Sequence, residues 1–171
     1  MRLYAPLTVL TAAVLLAACG KPASTDQAST AAPTPPAAAT APTASVAPTP
    51  AQTKAILATL PAAYQSADLD NGQAKFALCK SCHSVNQGGG NMVGPNLYGV
   101  FGRKAGAVAE FSYSDGVKAS GIVWDADKIN QWIKGPSAMI PGTKMTYLGM
   151  SDAKDRTDVV AYLKVATTAG K

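Results

Sequence analysis

Hydrophobic and polar positions fall into three successive regimes along the chain. Leu7 to Leu16 form a mostly apolar run. From Lys21 to about Thr53 the residues are almost wholly Ala, Pro, Thr and Ser, without helical or strand periodicity. Beyond about residue 60, apolar positions recur at helical spacing. Asp68 and Asp70 precede a helical run through Gln73 to Leu78, and Asp125 can cap a helix over 126–134. In that second helix Ile129, Trp132 and Ile133 form an apolar stripe. Ser151 or Asp152 can cap a last helix carrying Val159, Val160, Leu163 and Ala166 on one side. Glycine-rich loops such as Gly88-Gly89-Gly90 join these elements, and no segment shows convincing strand alternation. The pattern predicts an all-α domain over 61–171.

The amino terminus reads differently. Arg2, the apolar run and the small residues Ala17-Ala18 make a targeting segment, and the run is short of the roughly 20 residues that span a bilayer. Leu16-Ala17-Ala18-Cys19-Gly20 resembles the lipobox of bacterial lipoproteins. That resemblance implies a signal peptide over 1–18, cleaved before Cys19, whose thiol and new amino group carry acyl chains; several chains anchor stably where one is marginal. Gly20, rather than Asp, after the cysteine favours an outer membrane where the host has two. The Ala/Pro/Thr-rich stretch that follows cannot bury enough apolar surface to fold, so 19–60 is expected to be a flexible, lipid-anchored linker. Its prolines favour extended polyproline II, which at about 3.1 Å per residue gives about 35 residues a reach of roughly 100 Å at full extension.

Charge adds little. A net charge of +5, with single lysines interleaved among acids, lacks the clustered basic and aromatic stripe of a nucleic-acid binder. A weakly basic surface suits docking on acidic partners, and a plain solvated surface equally.

The chemistry lies in the cysteines. Of three, Cys19 belongs to the anchor, which leaves Cys79-Lys80-Ser81-Cys82-His83. Cys-x-x-Cys-His is the attachment signature of c-type haem: two thiols three residues apart reach the vinyl groups of one porphyrin edge, and the histidine ligates the iron. A structural zinc site wants four Cys/His ligands, and a thioredoxin-like pair wants a βαβ setting. A simple disulfide leaves His83 unexplained. His83 is the sole histidine, so bis-histidine ligation is impossible and a methionine becomes the expected second ligand. Met92 lies too near His83 in sequence to cross to the opposite haem face; spacing does not separate Met139, Met145 and Met150.

From Gly72 to about Thr168 the chain resembles the class I cytochromes c, particularly the mitochondrial type and its bacterial relatives. The matching text includes Gly94-Pro95-Asn96-Leu97-Tyr98-Gly99, Phe111-Ser112-Tyr113-Ser114, Gly121-Ile122-Val123-Trp124 and Ile140-Pro141-Gly142-Thr143-Lys144-Met145, in the family's order. The resemblance implies the cytochrome c fold, a small helical domain wrapped around one covalent haem c with iron ligands His83 and Met145. It implies that the Pro95 carbonyl orients His83, that Arg103, Tyr113 and Trp124 hold the propionates, and that Trp132 and Thr143 complete the haem contacts. It also implies that the first and last helices cross, Gly72 and Phe76 meeting Val159 and Tyr162.

Two positions depart from the mitochondrial pattern. Trp132 replaces a tyrosine whose hydroxyl touches the methionine sulfur, and Val117 replaces an asparagine near a buried water. Both changes predict a less polar pocket behind Met145 and an altered potential. At the rim, Leu78, Met92, Ser137 and Ala138 stand where those relatives carry docking lysines, while Lys80, Lys134 and Lys144 remain. Tethering, which raises effective concentration, is then expected to replace part of the electrostatic steering.

The function expected is that of a monomeric one-electron carrier, not an enzyme, on the periplasmic face of a bacterial membrane. It would serve membrane redox complexes, such as a quinol–cytochrome c oxidoreductase and a terminal oxidase, in a respiratory or photosynthetic chain. A haem peroxidase or gas sensor needs an open iron position and distal groups; the chain has no second histidine and its methionine loop is intact. A module dedicated to one dehydrogenase or reductase fits the same sequence.

Overall fold

The computed structural model describes residues 47–168. The expected signal peptide, Cys19 and most of the expected linker lie outside these. Among the described residues there are seven helices and one isolated antiparallel bridge, Lys104 to Val123.

Helix starts follow their caps. Asp68 accepts from the Asn71 N–H at 3.0 Å and opens α3 (Leu69–Lys80). Asp125 accepts from Lys128 N–H at 2.7 Å and opens α5 (Ala126–Lys134). Asp152, not Ser151, caps α7 (Ala153–Ala166), accepting from Asp155 N–H at 2.8 Å. Such a cap satisfies one of the orphan donors of the first turn.

α3 lies across α7, and glycine is what lets it. A β-carbon at Gly72 would collide with the Asp158 carbonyl and the Tyr162 side chain. One turn on, the Phe76 and Tyr162 rings pack at 5.4 Å. Phe76, Val159 and Val160 are essentially fully buried here, each worth about 1.5–3 kcal/mol of apolar burial. The crossing is also pinned by charge. The buried Asp158 carboxylate accepts from Asp68 N–H (3.0 Å), Asn71 Nδ2 (2.7 Å) and Lys154 Nζ (2.6 Å).

The folded region starts earlier than residue 61, which corrects the expected linker boundary. α1 (Pro50–Leu57) opens on a complete capping box between Thr49 and Gln52, and α2 (Ala62–Gln65) follows. Leu60 and Tyr64 are buried in the main core, and Leu57 packs against it. Both short helices rest on α7. Apolar side chains with a place in the core outweigh the ordering entropy that the preceding composition cannot offset.

A smaller cluster, Ala105, Val117 and Ile140, forms beside α4 (Asp115–Ala119) and α6 (Pro136–Met139). Trp124 and Trp132, 5.5 Å apart, pack against both clusters.

Candidate functional site

A cavity of about 370 Å³ draws its walls from both clusters, including Phe76, Ile129, Val159 and Leu163 from the larger and Val117 from the smaller. All ten expected site residues line it: Cys79, Cys82, His83, Pro95, Arg103, Tyr113, Trp124, Trp132, Thr143 and Met145.

The last turn of α3 delivers the first three. Backbone bonds from Cys82 N–H (3.1 Å) and His83 N–H (2.9 Å) to the Cys79 carbonyl carry the helical path past Lys80. The two cysteines are not joined. Burial, with Cys82 alongside, pushes the Cys79 thiol up to about 11, whereas a reactive Cys-x-x-Cys pair has a depressed value.

His83 Nδ1 lies 2.7 Å from the Pro95 oxygen. A carbonyl only accepts, so the ring proton sits on Nδ1 and the Nε2 lone pair is left for a ligand bond. Burial lowers the His83 pKa, against the smaller opposing effect of the Pro95 bond, and so favours the neutral ligating form. The neighbouring glycine is what permits this approach. A β-carbon at Gly94 would overlap the His83 ring, and Gly94 N–H is held on the Cys82 carbonyl at 2.8 Å. Nothing in the sequence pattern alone marked Gly94 as a cradle.

Arg103, Tyr113 and Trp124 share another part of the wall. Arg103 donates from Nη1 to the Tyr98 carbonyl and from Nη2 to the Asn96 carbonyl, each at 2.9 Å. Trp124 N–H donates to the Arg103 carbonyl at 2.9 Å. Burial lowers the Arg103 pKa and raises that of Tyr113, each partly opposed by the other's charge. A guanidinium has five N–H groups, so these two backbone bonds leave donors for an anionic group in the cavity.

Of the four methionines considered, the fold brings only Met145 into the cavity wall. Met150 is buried in the main core, Met139 packs against the smaller cluster, and Met92 is half-exposed. The Met145 loop is fastened through the two residues that precede Met145, Thr143 and Lys144. Met145 N–H donates to Thr143 Oγ1 at 3.2 Å, and Lys144 Nζ donates to the Ser112 carbonyl and hydroxyl, each at 2.9 Å. The Ser112 anchor was not foreseeable, because it lies 32 positions away in sequence.

The comparisons converge on one family. The model for "Cytochrome c" matches residues 69–167. The chain belongs to the cytochrome c family. It is 47% identical to cytochrome c of Gibberella zeae over 101 residues, covering 58% of this chain and 95% of that one. It is 41% identical to cytochrome c2 of Blastochloris viridis over 109 residues, covering 64% and 86%. Among solved structures it is similar to cytochrome cH from Methylobacterium extorquens, at 44% identity and a TM-score of 0.53, covering 57% of this chain and 97% of that one. As a cytochrome c the protein carries one covalent haem c and transfers electrons; it is not an enzyme. The cavity fits that group: it offers two thiols, a neutral imidazole, a thioether and a basic wall about an otherwise apolar interior.

Proposed function

We propose that this cytochrome c is a closed, six-coordinate carrier held near a membrane, with His83 and Met145 as iron ligands and Cys79 and Cys82 as the thioether attachments. The observation that carries this is the cavity wall, which His83 and Met145 both line and the other candidate methionines do not. The bound haem supplies a one-electron iron couple, whose potential a His/Met pair raises. The protein's residues do the rest. Pro95 fixes the tautomer and direction of His83. Arg103, Tyr113 and Trp124 hold the propionates, since a buried carboxylate is costly without donors. Thr143 holds the loop through the Met145 N–H, and Trp132 adds apolar wall to the same cavity. Oxidised holoprotein is expected to show the methionine–iron charge-transfer band, and Met145→Ala to lose it. A wild-type spectrum without that band overturns the assignment.

We also propose the tether. Acyl groups on Cys19 would hold the domain at the periplasmic face, with the chain ahead of Thr49 as linker, between a quinol-oxidising complex and a terminal acceptor. Leu78 and Val93, on the cavity wall, are 63% and 80% exposed, which gives the cavity an apolar rim on a wall that also carries Lys144. That rim suits short-range docking after tethered encounter. Cys19→Ser should move the haem protein from the membrane to the soluble fraction; unchanged membrane association refutes the anchor.

A further inference from the structure

A single peptide unit links His83 to the protein surface, and both of its polar ends are engaged. Its oxygen is the Pro95 carbonyl, 2.7 Å from His83 Nδ1. Its nitrogen belongs to Asn96, whose N–H donates to Asn91 Oδ1 at 3.0 Å. The His83 ring, the Pro95–Asn96 peptide and the Asn91 carboxamide therefore form hydrogen bonds in series, all donating in the same direction. Asn91 also works from its other end: Nδ2 donates to the Ala109 carbonyl at 3.2 Å, 18 positions along the chain. Its acceptor and its donor thus serve separate contacts. The turn between Asn91 and Asn96 is already held by backbone bonds. Met92 N–H donates to the Gly94 carbonyl, Gly94 N–H to the Cys82 carbonyl and Leu97 N–H to the Ser84 carbonyl, each at 2.8 Å. Closing the turn does not call for the Asn91 acceptor, so that acceptor is available for another purpose.

We propose that Asn91 is a positioning residue for His83, acting through the Pro95–Asn96 peptide to strengthen the Pro95 carbonyl as an acceptor and so hold the haem potential down. Hydrogen bonds in series polarise one another, by about 10–30% per bond. An acceptor on the Asn96 N–H draws the peptide proton outward, and electron density moves onto the Pro95 oxygen. That oxygen pulls harder on the Nδ1 proton of His83, which makes Nε2 the more basic ligand atom. A more basic ligand favours the ferric state and lowers the potential. Asn91 is exposed, so its removal costs the core little and its effect is read at the haem. The inference rests on His83 being an iron ligand, as proposed above.

The test uses full-length, haem-loaded protein, potentiometric titration and proton NMR of the ferrous state, in which the His83 Nδ1–H resonance reads the strength of its bond to Pro95. Asn91→Leu keeps the bulk and removes both contacts; it should raise the potential and shift the Nδ1–H resonance upfield. Asn91→Asp loses the donor to Ala109 but keeps an acceptor for the Asn96 N–H, now charged and therefore stronger. It should hold that resonance at or downfield of its wild-type position. Ser84→Ala removes the 2.6 Å bond to the Gly90 carbonyl, which loosens the same loop away from the series, and should leave both readouts unchanged. An unmoved resonance in Asn91→Leu, with water serving Asn96 equally well, overturns the proposal. So does an upfield shift in Asn91→Asp, which would make the Ala109 contact the one that matters, or an equal shift in Ser84→Ala. Wild-type His83 carbon-bound ring protons without the large upfield displacement that a porphyrin imposes on an axial ligand would fail the ligand assignment before any variant is compared, so the two failures are distinct.

Discussion

Trp132 and Val117 both face the cavity that Met145 lines, and neither offers the thioether a hydroxyl or carboxamide. By the resemblance to the mitochondrial type, a tyrosine at 132 would bring an O–H toward the methionine sulfur. A donor there withdraws electron density from the ligand and disfavours the ferric state, so Trp132→Tyr is expected to raise the potential. Val117→Asn places a carboxamide in the smaller cluster and should shift the potential too. Potentiometric titration decides the matter, and an unchanged midpoint in both variants refutes the idea that this pocket is tuned by its lack of polarity. Much at this scale was readable beforehand. The haem motif named Cys79, Cys82 and His83 without help, because its chemistry is local. The choice among Met139, Met145 and Met150 was not local. Spacing left it open, family resemblance selected Met145, and only the fold showed the other two filling core. The Gly94 cradle was equally hidden, since a glycine's reason is the atom opposite it.

The α3–α7 crossing is the element pair on which the cavity rests, and Asp158 is its buried charge. Burial alone would raise its carboxyl pKa, but Lys154, Asn71 and the Asp68 N–H together outweigh burial and hold the value below the ordinary one. A depressed native value means that the unfolded chain takes the proton more readily. The contribution is therefore complete above the unfolded value of about 3.9, and it drains away as pH falls through the depressed native value. Asp158→Ala strands the Asp68 N–H and takes one of two acceptors from the Asn71 amide, at a cost of about 1–3 kcal/mol near neutrality. Denaturant unfolding of both proteins across pH should show that gap at pH 7 and its narrowing in acid below pH about 4. A gap that persists unchanged at low pH argues against the charged network. The long helices were legible because caps and apolar stripes mark them. α4 and α6, of five and four residues, are too short to show a period. α1 was hidden by composition, although Thr49, Pro50 and Gln52 spell a helix start in retrospect.

For the whole molecule, the question is where the folded body begins. Composition placed the boundary at residue 61, whereas Leu57 and Leu60 are already spent on the core. A chain starting at Ala47 keeps every contact of α1 and should unfold as the full-length domain does. A chain starting at Pro61 loses both leucines and should be less stable by about 2–4 kcal/mol, the worth of their apolar burial. A chain starting at Leu69, near where the family match begins, also loses Tyr64 and its bond to Asp127. Denaturant midpoints of the three haem-loaded chains should therefore fall in that order. Equal midpoints for the first two would return α1 to the linker.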